Sequence, residues 1–194
     1  MRIIAGEFRG RTLKTVEGPG YRPATGRMRE ALFSMLEARG LVWSACDVLD
    51  LFAGSGSLAF EAASRGARRI RLVENSPRVA QCLEHNAAAF GLFAPRCRIL
   101  REDALRLLTR RSRKDQMEAE ERFDVVFLDP PYGMNLVPAA LQALTREGRL
   151  APDAFVSAGM EVRARIDVAA HEELVCVGDR THGQTRILLW QRAP

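Results

Sequence analysis

Asp129-Pro130-Pro131-Tyr132 directly follows an apolar run, Phe123-Asp124-Val125-Val126-Phe127-Leu128, which reads as a buried strand. Two prolines fix the backbone after the strand and bring no amide donors of their own, leaving a rigid set of acceptors beside an aromatic face. Such a set suits a planar amino group. An exocyclic base amine is a poor nucleophile because its lone pair is delocalised into the ring. Acceptors on Asp129 and the Pro130 carbonyl can hold both N–H bonds and turn the lone pair toward an electrophilic methyl, while Tyr132 stacks on the base. The plainer alternative is a Pro-Pro turn that carries the chain off a strand.

A second constellation lies upstream. The run Asp50-Leu51-Phe52-Ala53-Gly54-Ser55-Gly56-Ser57-Leu58-Ala59 leads from a strand into a helix, and its glycines allow a sharp turn and close approach of a ligand. Gly54-x-Gly56-x-x-Ala59 fits the dinucleotide fingerprint, and Glu74, eighteen residues after Gly56, fits the ribose-binding acid. A pyrophosphate would be repelled by Asp50, whereas the amino acid end of S-adenosylmethionine offers it a cation. Asp103, between a strand and a helix, suits either an adenine amino group or a helix cap. Asp50, Glu74 and Asp103 follow three successive strands, so they should share the carboxyl edge of one sheet.

The elements that must position these groups alternate between branched apolar runs and segments of helical period, the pattern of an α/β domain with a mostly parallel sheet. Strands are predicted at 47–52, 69–74, 97–101, 123–128, 154–162, 172–178 and 185–191, and helices at 57–65, 76–90, 104–111 and 136–146. In the second of these helices Val79, Cys82, Leu83 and Phe90 form the apolar stripe. The connection 179–184 is too short for a parallel crossover, so the last strand runs antiparallel and should end the sheet. Upstream, Thr25 can cap a helix with Met28, Ala31, Leu32, Met35 and Leu36 on its apolar face. Residues 1–16 read as a hairpin too small to be stable unless it docks, and 110–122 as a charged surface insertion without chemistry.

The chain has 194 residues, 47% hydrophobic and 27% charged, which suits one soluble globular domain. No apolar stretch is long enough for a membrane span, and charge appears too early for a signal peptide, so a cytoplasmic location is expected. Cys46, Cys82, Cys97 and Cys176 form no CxxC pair and have no histidine at ligand spacing, so buried reduced thiols are expected and no metal. Residues 1–30 hold seven basic residues against three acids, or +4 of the net +5, the footprint of a polyanion partner such as nucleic acid or simply a solvated end. An NAD-dependent oxidoreductase would use the glycine turn and Glu74 but leave 129–132 idle. A non-catalytic RNA-binding module would leave the acidic edge idle. A hydrolase is poorly supported: Ser55 is in no G-x-S-x-G elbow, and His85, His171 and His182 are read as solvated.

Asp50 to Gly56 together with Asp129-Pro130-Pro131-Tyr132 resembles the class I S-adenosylmethionine-dependent methyltransferases that act on amino nitrogens. More narrowly, Arg2-Ile3-Ile4-Ala5-Gly6-Glu7-Phe8-Arg9-Gly10-Arg11, Arg22-Pro23-Ala24-Thr25 and Arg29-Glu30-Ala31-Leu32-Phe33 resemble the RsmD family of 16S ribosomal RNA guanine-N2 methyltransferases. The resemblance spans essentially the whole chain. It implies a Rossmann-like seven-stranded sheet with helices on both faces and a reversed last strand. Its domain division is a basic hairpin extension at 1–20 and the methyltransferase domain at 21–194. The implied cofactor set is Asp50, Phe52, Ala53, Gly54, Gly56, Glu74, Asn75, Asp103 and Ala104, with catalysis at Asp129, Pro130, Pro131 and Tyr132. From the charge of the first 30 residues, Arg2, Arg9, Arg11, Lys14, Arg22 and Arg27 are the expected RNA contacts, and a monomer acting on 16S ribosomal RNA in the small subunit or its assembly intermediate is expected. Gly26 stands where the family pattern leads one to expect an acid, and 110–122 lengthens a usually shorter connection. The tetrapeptide itself does not choose among adenine N6, cytosine N4 and guanine N2; guanine rests on the resemblance.

Overall fold

The computed structural model describes residues 1–16, 25–109, 121–131, 133–169 and 172–193. The sheet strands are β1 (Asp47–Asp50), β2 (Arg69–Val73), β3 (Cys97–Leu100), β4 (Phe123–Leu128), β5 (Leu150–Glu161), β6 (Leu174–His182) and β7 (Thr185–Arg192). The helices are α1 (Gly26–Glu37), α2 (Ser57–Ser64), α3 (Pro77–Ala89), α4 (Ala104–Thr109) and α5 (Leu136–Arg146). Seven strands form one sheet in the order β3-β2-β1-β4-β5-β7-β6, parallel except where β7 pairs with β5 and β6.

Side-chain alternation along the strands builds two cores. Val48, Val125 and Phe127 face one, with α1, α2 and α3; Leu49, Val126 and Leu128 face the other, with α4 and α5. The helices thus cover both faces, as a mostly parallel sheet requires. Thr25 caps α1 by accepting the Met28 N–H at 3.3 Å. The buried face of α1 is Met28, Arg29, Leu32, Phe33 and Leu36, so Phe33 and a charged residue take places expected of Ala31 and Met35. In α3 likewise, Val79, Ala80, Leu83, Asn86 and Ala87 are buried and Cys82 is only partly so.

Several expectations change. The reversed strand does not end the sheet: β7 inserts between β5 and β6, and β6 is the edge. Asp179 to His182 extend β6, leaving a two-residue turn at Gly183-Gln184, where Gly183 has φ 59°. Residues 1–16 make one antiparallel bridge, Arg2 with Thr12, rather than two strands. Ile3, Phe8 and Leu13 are buried in the same core as α1, α2 and α3, and Phe8 stacks on Phe90 with ring centroids 4.9 Å apart. The segment is held by buried polar groups: Glu61 of α2 accepts the N–H groups of Ile4 and Ala5 at 2.7 and 2.9 Å, and Ser64 accepts that of Phe8 at 2.8 Å. Glu61 is 3.7 Å from Arg29, which also donates to the Arg2 carbonyl. Arg29 is therefore an internal counter-ion and leaves the surface charge of the basic end.

Residues 110–120 lie outside the described residues, but Glu121 is no surface charge. It is buried and paired at 2.9 Å with Arg71 of β2, itself buried and in need of a counter-ion. Cys46 and Cys97 are buried, which pushes their thiols up to about 11 and about 12, while Cys82 and Cys176 are half-buried. His85 and His182 are exposed, and His171 lies outside the described residues.

Candidate active site

The sheet order reverses between β1 and β4, and both strands deliver an acid at that point: Asp50 at the end of β1 and Asp129 just after β4. Open α/β sheets bind ligands in the crevice at such a switch. Here the crevice is a cleft of about 460 Å³. Phe52, Ala53, Gly54, Glu74, Asn75, Asp103 and Ala104 line it together with Asp50, Asp129, Pro130 and Pro131. Gly56 alone of the expected cofactor set does not. It caps α2 at φ 75°, and a Cβ there would come within 2.4 Å of the Phe60 ring and 2.7 Å of Leu83, so that glycine serves packing under the loop. Tyr132 and Arg22 lie outside the described residues.

Asp50 is buried, with the backbone N–H groups of Ala59 and Phe52 near enough to favour its charged form, yet Oδ1 has no hydrogen-bond partner among the described residues. Burial, reinforced by Asp129 and Glu74, pushes its pKa up to about 8. A buried carboxyl in a cleft wall, with one oxygen orphaned, is stabilised by a cationic or hydrogen-bonding ligand group. Glu74 is held differently: Oε2 accepts the Gly54 N–H at 3.1 Å and Oε1 the Ser76 N–H at 2.8 Å, which ties the carboxylate to the glycine turn. Asp103 accepts the Arg106 N–H at 2.8 Å, capping α4 while also lining the cleft, so its two readings are compatible.

Asp129 packs against β5 at Gly159, where a Cβ would stand 2.5 Å from its Oδ1. Gly159 makes room for the carboxylate. The only signal for it in the sequence is a glycine inside an apolar strand, which marks close approach of another group. Burial pushes Asp129 up to about 6. Thr15 and Val16 also line the cleft, so the N-terminal segment contributes to a site expected to begin at position 50. Asn86 of α3 fixes it there, accepting the Lys14 N–H at 3.0 Å and donating to the Lys14 carbonyl at 2.9 Å. Arg2, Arg9, Arg11, Lys14 and Arg27 are exposed, with the Arg11 guanidinium 4.6 Å from the Phe90 ring centroid.

Glu74→Ala is expected to weaken binding of S-adenosylmethionine by about 1–3 kcal/mol, through lost acceptors for a ligand and a freed Gly54 N–H. Calorimetric titration checks this, and an unchanged dissociation constant would remove Glu74 from the binding set.

A family model described as conserved hypothetical protein 95 matches residues 1–191. The chain is 34% identical to ribosomal RNA small subunit methyltransferase D of Escherichia coli strain K12 over 197 residues, covering 99% of this chain and 90% of that protein. Its identity to the Haemophilus influenzae protein of the same name is 37% over 156 residues, 80% of this chain and 76% of that one. A crystal structure of a Haemophilus influenzae methylase superposes with TM-score 0.82 at 30% identity, covering 100% of this chain and 98% of that one. A match that runs essentially from end to end, with relatives above 30% identity, leaves one assignment: the chain belongs to the RsmD family, described as conserved hypothetical protein 95.

Proposed function

We propose that the protein methylates the exocyclic N2 amine of a guanine in 16S ribosomal RNA, using S-adenosylmethionine and no metal. The observation that carries the chemistry is the pairing, across one cleft, of an orphaned buried carboxyl at Asp50 with a second acid at Asp129 beside two prolines. The relatives' names, which specify ribosomal RNA of the small subunit, support the substrate.

The residues present fit the cofactor. Asp50 offers its unpaired carboxyl to an ammonium, Glu74 offers a pre-oriented carboxylate to ribose hydroxyls, and Asp103 lines the same cleft. When bound, S-adenosylmethionine supplies an electrophilic methyl carbon on a sulfonium. Asp129 accepts an N–H of the target amine, turns its lone pair out of conjugation, and takes the proton the amine sheds. The Pro130 carbonyl is the second acceptor. Pro130 is buried, which keeps water from competing there. Tyr132 is assigned the stacking role. An oxidoreductase reading leaves Asp50 facing a pyrophosphate with no cation and is disfavoured.

The protein acts as a monomer on RNA within the small subunit or its assembly intermediate, in the cytoplasm. No helix among the described residues is long and apolar enough to cross a membrane. Mass-spectrometric mapping of methylated nucleosides in ribosomal RNA from cells with and without the protein tests the proposal. Loss of one N2-methylguanine from 16S RNA is expected, and an unchanged map refutes it.

The basic end supplies phosphate contacts through Arg2, Arg9, Arg11, Lys14, Arg22 and Arg27. Deleting residues 1–16 is no clean test, because it would empty the core places of Ile3, Phe8 and Leu13 and remove Thr15 and Val16 from the cleft. Replacing the exposed Arg2, Arg9 and Lys14 with glutamine removes charge alone. RNA affinity should fall, and the log-log salt slope should flatten by about 0.7–0.9 unit per lost contact. Equal affinities and slopes would make the basic end ordinary surface.

A further inference from the structure

A second cavity, of about 230 Å³, shares Pro130, Pro131 and Leu136 with the cofactor cleft. Its walls include the apolar Met160 and Ile166, and Gly159, against which the Asp129 carboxylate packs, lines it too. Two charged residues also line it: Glu161, half-buried at the end of β5, and the exposed Arg165. Neither side chain is engaged by a hydrogen bond or ion pair among the described residues. The cavity thus presents apolar walls, an unspent carboxylate and an unspent guanidinium, and it meets Asp129 through Gly159.

We infer that this cavity receives the target base and that Glu161, with Arg165, selects guanine over the other amino bases. The inference deepens the function proposed above and rests on it.

The argument is one of hydrogen-bond complementarity. With an exocyclic amine presented to Asp129, the next atom along the base edge is the adjacent ring nitrogen. In guanine the neighbour on the Watson–Crick edge, N1, carries a hydrogen, whereas N3 on the other side of the amine does not, so a carboxylate facing the Watson–Crick edge finds a donor. In adenine and in cytosine the ring nitrogen beside the amine is a bare lone pair. A carboxylate facing a lone pair is repelled and left without a partner, the arrangement that gives the largest discrimination in a desolvated site. Further along, guanine offers the O6 and N7 acceptors, which a guanidinium matches. Adenine offers a hydrogen at C2 instead, while cytosine offers its O2 carbonyl, so Arg165 acts against adenine and Glu161 alone acts against cytosine. Glu161, two residues along β5 from the Gly159 that packs on Asp129, therefore makes the choice that the tetrapeptide leaves open, and Arg165 extends it.

The test uses the full chain and small-subunit RNA from cells that lack the protein, with labelled S-adenosylmethionine. Glu161→Ala should lower kcat/KM for guanine methylation by about 30-fold, and Arg165→Ala by about 10-fold. Cofactor affinity should stay within twofold of wild type in both, since neither residue lines the cofactor cleft; this also shows that the variants are folded. Glu161→Gln should recover much of the activity, because an amide carbonyl still accepts N1–H. The same variant gives a readout that a merely structural role would not move. In saturation-transfer NMR with S-adenosylhomocysteine bound, guanosine should give signal with wild type and adenosine little, whereas Glu161→Gln should admit adenosine by turning its amide N–H toward N1. Wild-type rates in both alanine variants, or equal signals from guanosine and adenosine on the wild type, would overturn the base-pocket assignment alone. A wild-type protein that places no methyl group on guanine would overturn it together with the function on which it rests.

Discussion

Asp129→Ala should reduce the rate of methyl transfer by about 10³-fold while leaving S-adenosylmethionine affinity within a few fold. The loss combines two effects: the amine is no longer turned out of conjugation, and its proton has no acceptor. Single-turnover kinetics with saturating cofactor measure it, and an equal loss of cofactor binding would defeat the division of roles. The buried environment of Asp129 adds a pH signature. Its carboxyl is pushed up to about 6, so below that pH it is largely protonated and cannot accept the amine hydrogen. The single-turnover rate should rise with pH to a midpoint near 6 and then flatten. The residual rate of Asp129→Ala should be free of that midpoint. Asp129 also raises the pKa of Asp50, so the alanine variant should bring Asp50 down toward the ordinary carboxylate range.

Much of this site was legible in the sequence because its parts obey local rules. The strand-to-loop positions of Asp50, Glu74, Asp103 and Asp129 follow from βα periodicity, and a parallel sheet with its reversal between β1 and β4 must gather strand-end acids at one edge. The illegible parts depend on distant partners. Gly56 fits a ligand-binding pattern, yet the contact that requires a glycine there comes from Phe60 and Leu83, on two different helices. Arg29 and Glu121 look like members of solvated charge runs. Each is internal because a single buried partner, Glu61 or Arg71, lies across the fold. The docking of residues 1–16 rests on the same kind of long-range pairing: Glu61 reads as the one charged position of its helix, and nothing local says that it accepts the N–H groups of Ile4 and Ala5. The place of β7 between β5 and β6 is also non-local, since a hairpin fixes only that β6 and β7 pair and not which of them meets β5.

Asp50→Asn should act in opposite directions on stability and on binding. In the folded protein Asp50 has a pKa of about 8, raised mainly by burial, against about 4 when unfolded. Between those values the folded state holds a proton that the unfolded state has released, so this group's contribution to stability falls as pH rises from about 4 to about 8 and is then constant. The asparagine variant lacks that loss. Its stability advantage should be absent at pH 4, grow through the window by about 1.4 kcal/mol for each pKa unit between the two values, and level off above pH 8 at about 5 kcal/mol, or roughly 10–20 °C in Tm for a chain of this size. Cofactor binding should move the other way. Below pH 8 the wild-type carboxyl must give up its proton to meet an ammonium, so binding at pH 6.5 should release about one proton, seen as a buffer-dependent calorimetric enthalpy. Asp50→Asn should bind about 10–100-fold more weakly and release none, because a neutral amide offers the ammonium a hydrogen bond without a charge. Undiminished proton release in the variant would place the ionising group elsewhere. A variant less stable than wild type at pH 9 would mean that the carboxylate is already paired within the fold. The expected result, a more stable protein that binds less cofactor, would instead show that the orphaned Oδ1 is a cost the fold carries for its ligand.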